Sequence, residues 1–143
     1  MNAVGTYVLL IDVPRAIDVE VGALGTLAFS AGAYAYVGSA FGPGGLKRID
    51  RHRELALGER DVRHWHVDYL LGHPETTLER VFVFPEEDRE CELAGTLPGD
   101  PVRPFGASDC DCPAHLLVTE QASILDAIEA AGGSPADADR PAD

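Results

Sequence analysis

From Val21 to Leu46 the chain runs for 26 residues without a charged side chain, and no other feature constrains its fold as tightly. The stretch is long enough to cross a bilayer as a helix. Its residue types argue against that use. Seven positions are Gly and Pro43 stands near the end, where a membrane helix wants continuous Leu and Ile. Tyr34, Tyr36 and Val37 form a short β-prone run. The stretch therefore reads as two strands, 26–29 and 33–38, followed by a Gly-rich loop at Gly42-Pro43-Gly44-Gly45. The second of these reads as a central strand.

The flanking sequence supplies the rest of a sheet. Gly5 to Ile11 is β-branched and aliphatic, as a buried strand requires. Ile17, Val19 and Val21 alternate with Asp18 and Glu20, the period of a strand with one face in water. A helix is predicted over 46–57, with Leu46, Ile49 and Ala56 on one side and Gly58 as its stop. Residues 64–71 read as a second short helix or turn, and 78–84 as a strand ended by Pro85. Pro85-Glu86-Glu87-Asp88 reads as the start of another helix, because Pro fits a first turn and acids complement the helix dipole. A Pro/Gly loop over 98–113, a strand over 115–119 and a helix over 121–131 complete the pattern. At 143 residues the chain suffices for one core. The expectation is a single α+β domain over 1–131, with a small mixed or antiparallel sheet flanked by helices. Residues 132–143 are expected to be a disordered acidic Ala/Pro/Asp tail.

Charge seems at first to exclude nucleic acid. Asp and Glu number 24 against 11 Lys and Arg, for a net charge of −13, and phosphate contacts are made mostly by Lys and Arg. The distribution alters that reading. Between Lys47 and His64 lie six basic and four acidic residues, a net +2 set in a remainder of −15. Every basic residue except Lys47 is Arg. An acidic, Lys-poor surface suits a salt-adapted, halophilic protein, which here keeps cations where a phosphate would bind. The neighbouring Gly-rich turn would present backbone N–H groups at a helix N-terminus, a natural anion site. It is not a nucleotide-binding P-loop, since Gly-x-x-x-x-Gly-Lys-Ser/Thr is absent.

Three sets of side chains carry candidate chemistry. Arg48 and His52 are four apart and share a helix face, so they are either an ordinary exposed pair or a phosphate clamp with a proton shuttle. His64, Trp65, His66 and Asp68 are either one wall of a cleft or a core anchor with hydrogen-bonded histidines. Cys91, Cys110, Cys112 and His115 would make a tetrahedral Zn2+ site, or the cysteines pack reduced in the core. The chain has three cysteines, which cannot all pair internally, and its start lacks a positively charged secretory leader. A reduced, cytoplasmic protein with no membrane partner is expected.

Gly5-Thr6-Tyr7 and Tyr36-Val37-Gly38, followed by a helix bearing Arg48 and His52, resemble the two halves and the first helix of the GIY-YIG nuclease superfamily. The closer resemblance is to an archaeal and bacterial branch of unknown function, sometimes fused to endonuclease III-like repair enzymes. Its features run in order over about residues 5–118. They include 32–40 (Gly-Ala-Tyr-Ala-Tyr-Val-Gly-Ser-Ala), 45–52 (Gly-Leu-Lys-Arg-Ile-Asp-Arg-His) and 64–70 (His-Trp-His-Val-Asp-Tyr-Leu). Later come 90–94 (Glu-Cys-Glu-Leu-Ala), 105–110 (Phe-Gly-Ala-Ser-Asp-Cys) and 112–116 (Cys-Pro-Ala-His-Leu). Tyr7 and Tyr36 stand 29 positions apart, farther than in typical members, so a hairpin over 17–29 must be inserted between the signature strands. Thr6 replaces the usual Ile. The superfamily's metal-binding Glu falls on Glu90 or Glu92, and its late Asn has no clear counterpart, with Ser108 or Asp109 nearest.

This resemblance implies a GIY-YIG-like fold and a metal-dependent DNA endonuclease acting in repair or recombination. Tyr7, Tyr36, Arg48 and His52 would be catalytic, and Glu90 (alternatively Glu92) would hold Mg2+ or Mn2+. Lys47, Arg51, His66 and Ser39 would contact DNA. A functional association with endonuclease III-like enzymes is implied by the fusions. Two other readings stand beside it: a nucleic-acid-binding module that kept the fold and lost the chemistry, and a zinc-stabilised interaction domain.

Overall fold

The strand predicted from Gly-Thr-Tyr-Val-Leu-Leu-Ile is the centre of the molecule. In the computed structural model β1 (Gly5–Val13) is buried on both faces, which is why its sequence is a continuous apolar run rather than an alternation. The structure describes residues 4–22, 25–41, 45–58, 66–102 and 115–135, and of Leu46, His66 and Cys91 the backbone alone. The Gly42-Pro43-Gly44 loop, His64, Trp65, Ser108, Asp109, Cys110, Cys112 and residues 136–143 lie outside the described residues, as do the side chains of His66 and Cys91.

The fold is α+β. After β1 come β2 (Ile17–Glu20) and β3 (Thr26–Phe29), which pair antiparallel as a separate two-stranded sheet. This is the hairpin expected between the signature strands. β4 (Gly32–Ala40) returns antiparallel to β1 along its whole length. A 3-10 turn (Gly45–Lys47) leads into α1 (Arg48–Ala56), and α2 (His66–Leu71) precedes β5 (Thr77–Pro85). α3 (Glu90–Thr96), β6 (Asp100–Pro101), β7 (Leu116–Thr119), α4 (Gln121–Ala131) and β8 (Ser134–Pro135) follow. The main sheet has six strands in the order β6-β7-β4-β1-β5-β8, and each recorded pairing is antiparallel. None of the described helices is long and apolar enough to cross a membrane.

The period of two in β1 divides the core. Tyr7, Leu9, Ile11 and Val13 face one layer, where they meet α1, α2 and the hairpin through Ile49, Leu55, Leu70 and Phe29. Val8 and Leu10 face the other, where they meet α3 and α4 through Leu93, Leu97, Ile124 and Ile128. This arrangement explains the lack of charge over β4. β4 lies between β1 and β7 and is buried over most of its length, so a charge there would be stranded without solvent.

Three expectations are corrected. α1 buries Ile49, His52 and Leu55, with Ala56 packed half-buried against the same cluster, so the inner face includes an imidazole and His52 is a core residue, not half of an exposed pair. α1 does stop as expected, with Leu57 as cap and Gly58 at φ 79°, a left-handed conformation that suits Gly. Pro85 does not open a helix. It is the last residue of β5, opposite Gly5, and α3 starts five positions later. The intervening acids turn around the end of β1, where the Thr6 hydroxyl donates to the Glu87 carbonyl at 2.6 Å and accepts the Arg89 N–H at 2.9 Å. The supposed loop from Pro98 contains β6, paired with β7, and its Pro101 is tolerated on a sheet edge. Beyond these, Ser134 and Pro135 pair with Val83 and Phe82.

Candidate active site

Tyr7 and Tyr36 meet on one face of adjacent strands. Their register is diagonal: Tyr7 stands opposite Gly38, and Tyr36 opposite Leu9. The Gly of Tyr36-Val37-Gly38 has a mechanical reason. A Cβ at position 38 would lie 2.3 Å from Tyr7 Cζ and 2.5 Å from its hydroxyl, so the Tyr7 ring occupies the space a side chain would need.

The helices bring polar groups to this ring. The Tyr7 hydroxyl and His52 Nε2 share a hydrogen bond of 2.8 Å, with the rings 5.4 Å apart. Behind His52, on α2, stands Asp68, whose side chain is fully buried. Its Oδ1 is 3.8 Å from His52 Nδ1, beyond a hydrogen bond but close enough for charge to act. Arg51 grips the same carboxylate with two bonds, Nη2 to Oδ2 at 2.8 Å and Nη1 to Oδ1 at 3.3 Å. Arg48 donates to the Ser39 carbonyl at 2.5 Å and also reaches the Tyr7 phenol. Helical spacing puts Arg48, Arg51 and His52 within one turn, so a single element delivers two cations and an imidazole to one place.

Glu90 is the first residue of α3 and carries negative charge toward both tyrosines. Its Oε2 lies 3.4 Å from Nδ1 of the buried His115. Glu92, two positions on, points away: it is exposed and bound to Arg89 at 2.7 Å. Of the two carboxylates left open by the sequence, Glu90 therefore belongs to the cluster. Its helix is fastened by the Thr6 hydroxyl and by Arg89, which donates to the Ala131 carbonyl at the end of α4 and lies over the Phe84 ring.

Burial governs the electrostatics. It pushes the Tyr7 phenol well above its ordinary range, against the pull of Arg48, with Glu90 and Asp68 adding to the rise. Tyr36 is raised for the same first reason, with further contributions from Tyr7, Glu90 and Asp68. His52 goes the other way, lowered to about 4 by burial, with Arg51 and Arg48 adding to the fall and Asp68 opposing it. At neutral pH the arrangement is a protonated phenol against a neutral imidazole backed by a carboxylate. The Tyr7–His52 hydrogen bond is a path for a proton from the phenol inward, and both shifts oppose that transfer in the resting protein.

Of the residues expected from the sequence, Tyr7, Tyr36, Arg48, His52 and Glu90 are brought together. Lys47 is exposed on the turn before α1. Ser39 takes part through its carbonyl, which accepts from Arg48, and Arg51 is engaged with Asp68. His115 sits with Glu90. Of the zinc set, Cys110, Cys112 and the Cys91 side chain lie outside the described residues. Among the described residues there is no group of three or more His, Cys, Asp or Glu able to hold a metal ion. Sequence reasoning placed Asp68 with His64 rather than beneath His52. The available signal was an acid inside the apolar run Val67-Asp68-Tyr69-Leu70-Leu71, which demands a partner once the helix is buried.

No curated protein and no solved structure matches the chain. One family model does, over residues 6–134, from Thr6 on β1 to Ser134 on β8. That span contains every residue of the cluster around Tyr7, and the chain belongs to this family, described as domain of unknown function DUF123.

Proposed function

We propose that the protein is a metal-dependent endonuclease that hydrolyses DNA phosphodiester bonds in repair or recombination. The observation that carries this reading is the convergence of Tyr7, Tyr36, Arg48, His52 and Glu90 on one end of β1 and β4. These groups come from β1, β4, α1 and α3, and each matches a need of phosphoryl transfer. The resemblance to GIY-YIG nucleases supports the same reading.

The donor set at Glu90 fits the implied cation. A single carboxylate whose side chain is about a fifth exposed offers hard oxygen to one side of an ion, which suits Mg2+ or Mn2+ retaining most of its waters and not a Cys/His-hungry Zn2+. Glu90 would hold the ion, and His115 orients the carboxylate. The ion, when bound, would supply positive charge for the phosphate and for the leaving oxygen.

The protein's own groups perform the proton transfer. Water attacks phosphorus, a new P–O bond forms, and the P–O bond to the leaving sugar oxygen breaks. The water proton passes to the Tyr7 oxygen as the Tyr7 proton passes to His52 Nε2. The imidazolium so formed faces Asp68, which favours it. Arg48 offsets the growing charge on the phosphoryl oxygens, and Tyr36 closes the other side of the site. A phenol whose ionisation is opposed by burial serves as a base only by relay, so His52 is part of the machinery.

The test is nicking of plasmid, gapped and branched DNA with Mg2+ in molar KCl, where an acidic surface is screened. Tyr7→Phe and Arg48→Ala should each slow cleavage by about 10²- to 10³-fold. Wild-type rates in both variants would refute the assignment. Binding without cleavage in the wild type would assign the non-catalytic module instead.

A further inference from the structure

We propose that Asp68, held by Arg51, is a positioning residue that fixes the tautomer of His52, keeping the proton on Nδ1 and leaving Nε2 bare toward Tyr7. The inference deepens the nuclease reading and rests on it for its catalytic meaning, but its physical content concerns the folded protein alone.

The argument runs through the hydrogen bond between Tyr7 and His52. A neutral imidazole has one N–H and one bare nitrogen, so this 2.8 Å contact has two forms. In one, the phenol donates to Nε2 and the N–H is on Nδ1. In the other, Nε2–H donates to the phenol oxygen and the lone pair is on Nδ1. Only the first form leaves His52 able to take the Tyr7 proton, with the phenol lone pairs turned toward Arg48 and an incoming water.

Three of the described elements bring hydrogen-bonding or charged groups to the imidazole. β1 supplies Tyr7, α2 supplies Asp68, and α1 itself supplies Arg48 and Arg51. Asp68 faces Nδ1 from 3.8 Å. An N–H aimed at that carboxylate is attracted, and a lone pair aimed at it is repelled. Neither arginine carries an acceptor, so the Asp68 carboxylate is the group of this set that attracts an N–H on Nδ1.

Burial gives the pair its significance. The Asp68 side chain has no exposure and that of Arg51 is 14 % exposed. A surface ion pair would have avoided the desolvation that such burial entails. The two-point grip of Arg51 fixes the carboxylate plane, and both oxygens take part: Oδ2 in the shorter bond to Arg51, and Oδ1 in the longer bond and in the approach to His52. Arg51 is thus a support for Asp68, one residue before the histidine it serves.

The experiment is nitrogen-15 NMR of the imidazole rings near pH 7, with His52 assigned among the five histidines by the His52→Gln spectrum. Wild-type His52 should show a protonated Nδ1 and a hydrogen-bonded, unprotonated Nε2. Asp68→Asn offers an amide that donates to Nδ1, so the ring should switch to Nε2–H, as a carboxylate-to-amide change behind a catalytic histidine does. Arg51→Lys should keep the wild-type tautomer and Arg51→Met should mix the two. An Nε2–H tautomer in the wild type overturns the proposal, and so does an unchanged tautomer in Asp68→Asn. The wild-type spectrum decides even where a variant fails to fold. In the cleavage assay Asp68→Asn should lower kcat on the order of 10²-fold with KM held, and Arg51→Lys, which keeps a cation on Asp68, should retain most of the wild-type kcat. The predicted tautomer in a protein that cuts no DNA would leave this inference standing and remove the nuclease reading.

Discussion

Acid should unfold this protein through His52 in a defined window. The ring ionises near 6.5 in an unfolded chain and at about 4 in the folded one. Between those values the unfolded state binds a proton that the folded state refuses, so stability rises with pH. The contribution is fully present above pH 6.5 and is lost as pH falls toward 4. A difference of that size is worth about 3 kcal/mol, from roughly 1.4 kcal/mol for each pH unit of separation. That is a large share of the 5–15 kcal/mol typical of a small domain. The measurement is urea unfolding of wild type and His52→Gln at several pH values from 7.5 to 4, in high salt to suppress changes in surface repulsion. Subtracting the variant removes the carboxylates that titrate in both proteins. The wild type should lose about 3 kcal/mol more than His52→Gln over this range. Parallel stability profiles would refute the claim that His52 is a neutral, buried acceptor for Tyr7.

Two further predictions concern the frame that holds the site. Gly38→Ala drives a methyl group into the Tyr7 ring, 2.3 Å from Cζ, and should cost about 1–3 kcal/mol of overpacking in thermal unfolding; an unchanged Tm would show that the ring does not lie over Gly38. Thr6→Val keeps the shape but strips a hydroxyl that joins Glu87 and Arg89. Leaving those backbone groups unsatisfied should cost about 1–3 kcal/mol, and cleavage should fall as α3 loosens around Glu90. Full stability in urea unfolding would show that these bonds do not fasten the helix.

Where local pattern decided structure, the sequence was readable. β1, β2, β3 and α4 follow from period and apolar run because nothing distant competes with those signals. The expected helix at Pro85 failed for a tertiary reason. Pro85-Glu86-Glu87-Asp88 obeys the rules for a helix start, but the Gly5–Pro85 pairing and the Thr6 hydroxyl hold it as strand and turn. The same residue accounts for a polar side chain inside the apolar run of β1. Thr6 faces the α3 side, and its hydroxyl does work that an Ile could not.

The site was legible by residue type and not by role. Tyr7, Tyr36, Arg48 and His52 stand out by type, but the sequence leaves His52 open between an exposed pair and a proton shuttle, because burial on α1 depends on how the helix docks against Tyr7. Asp68 escaped because its partners come from another helix. Glu90 and Glu92 are equivalent on paper. Two positions along a helix turn them to different sides, and only the docking of α3 selects the one that faces the tyrosines.

That selection gives the most direct measurement of the central claim. Magnesium-dependent nicking should be compared for wild type, Glu90→Gln and Glu92→Gln, with folding checked by circular dichroism. The site described here predicts that Glu90→Gln abolishes cleavage, while Glu92→Gln, which breaks only an exposed pair with Arg89, cuts at close to the wild-type rate. Cleavage that survives Glu90→Gln, or that disappears only in Glu92→Gln, would contradict it.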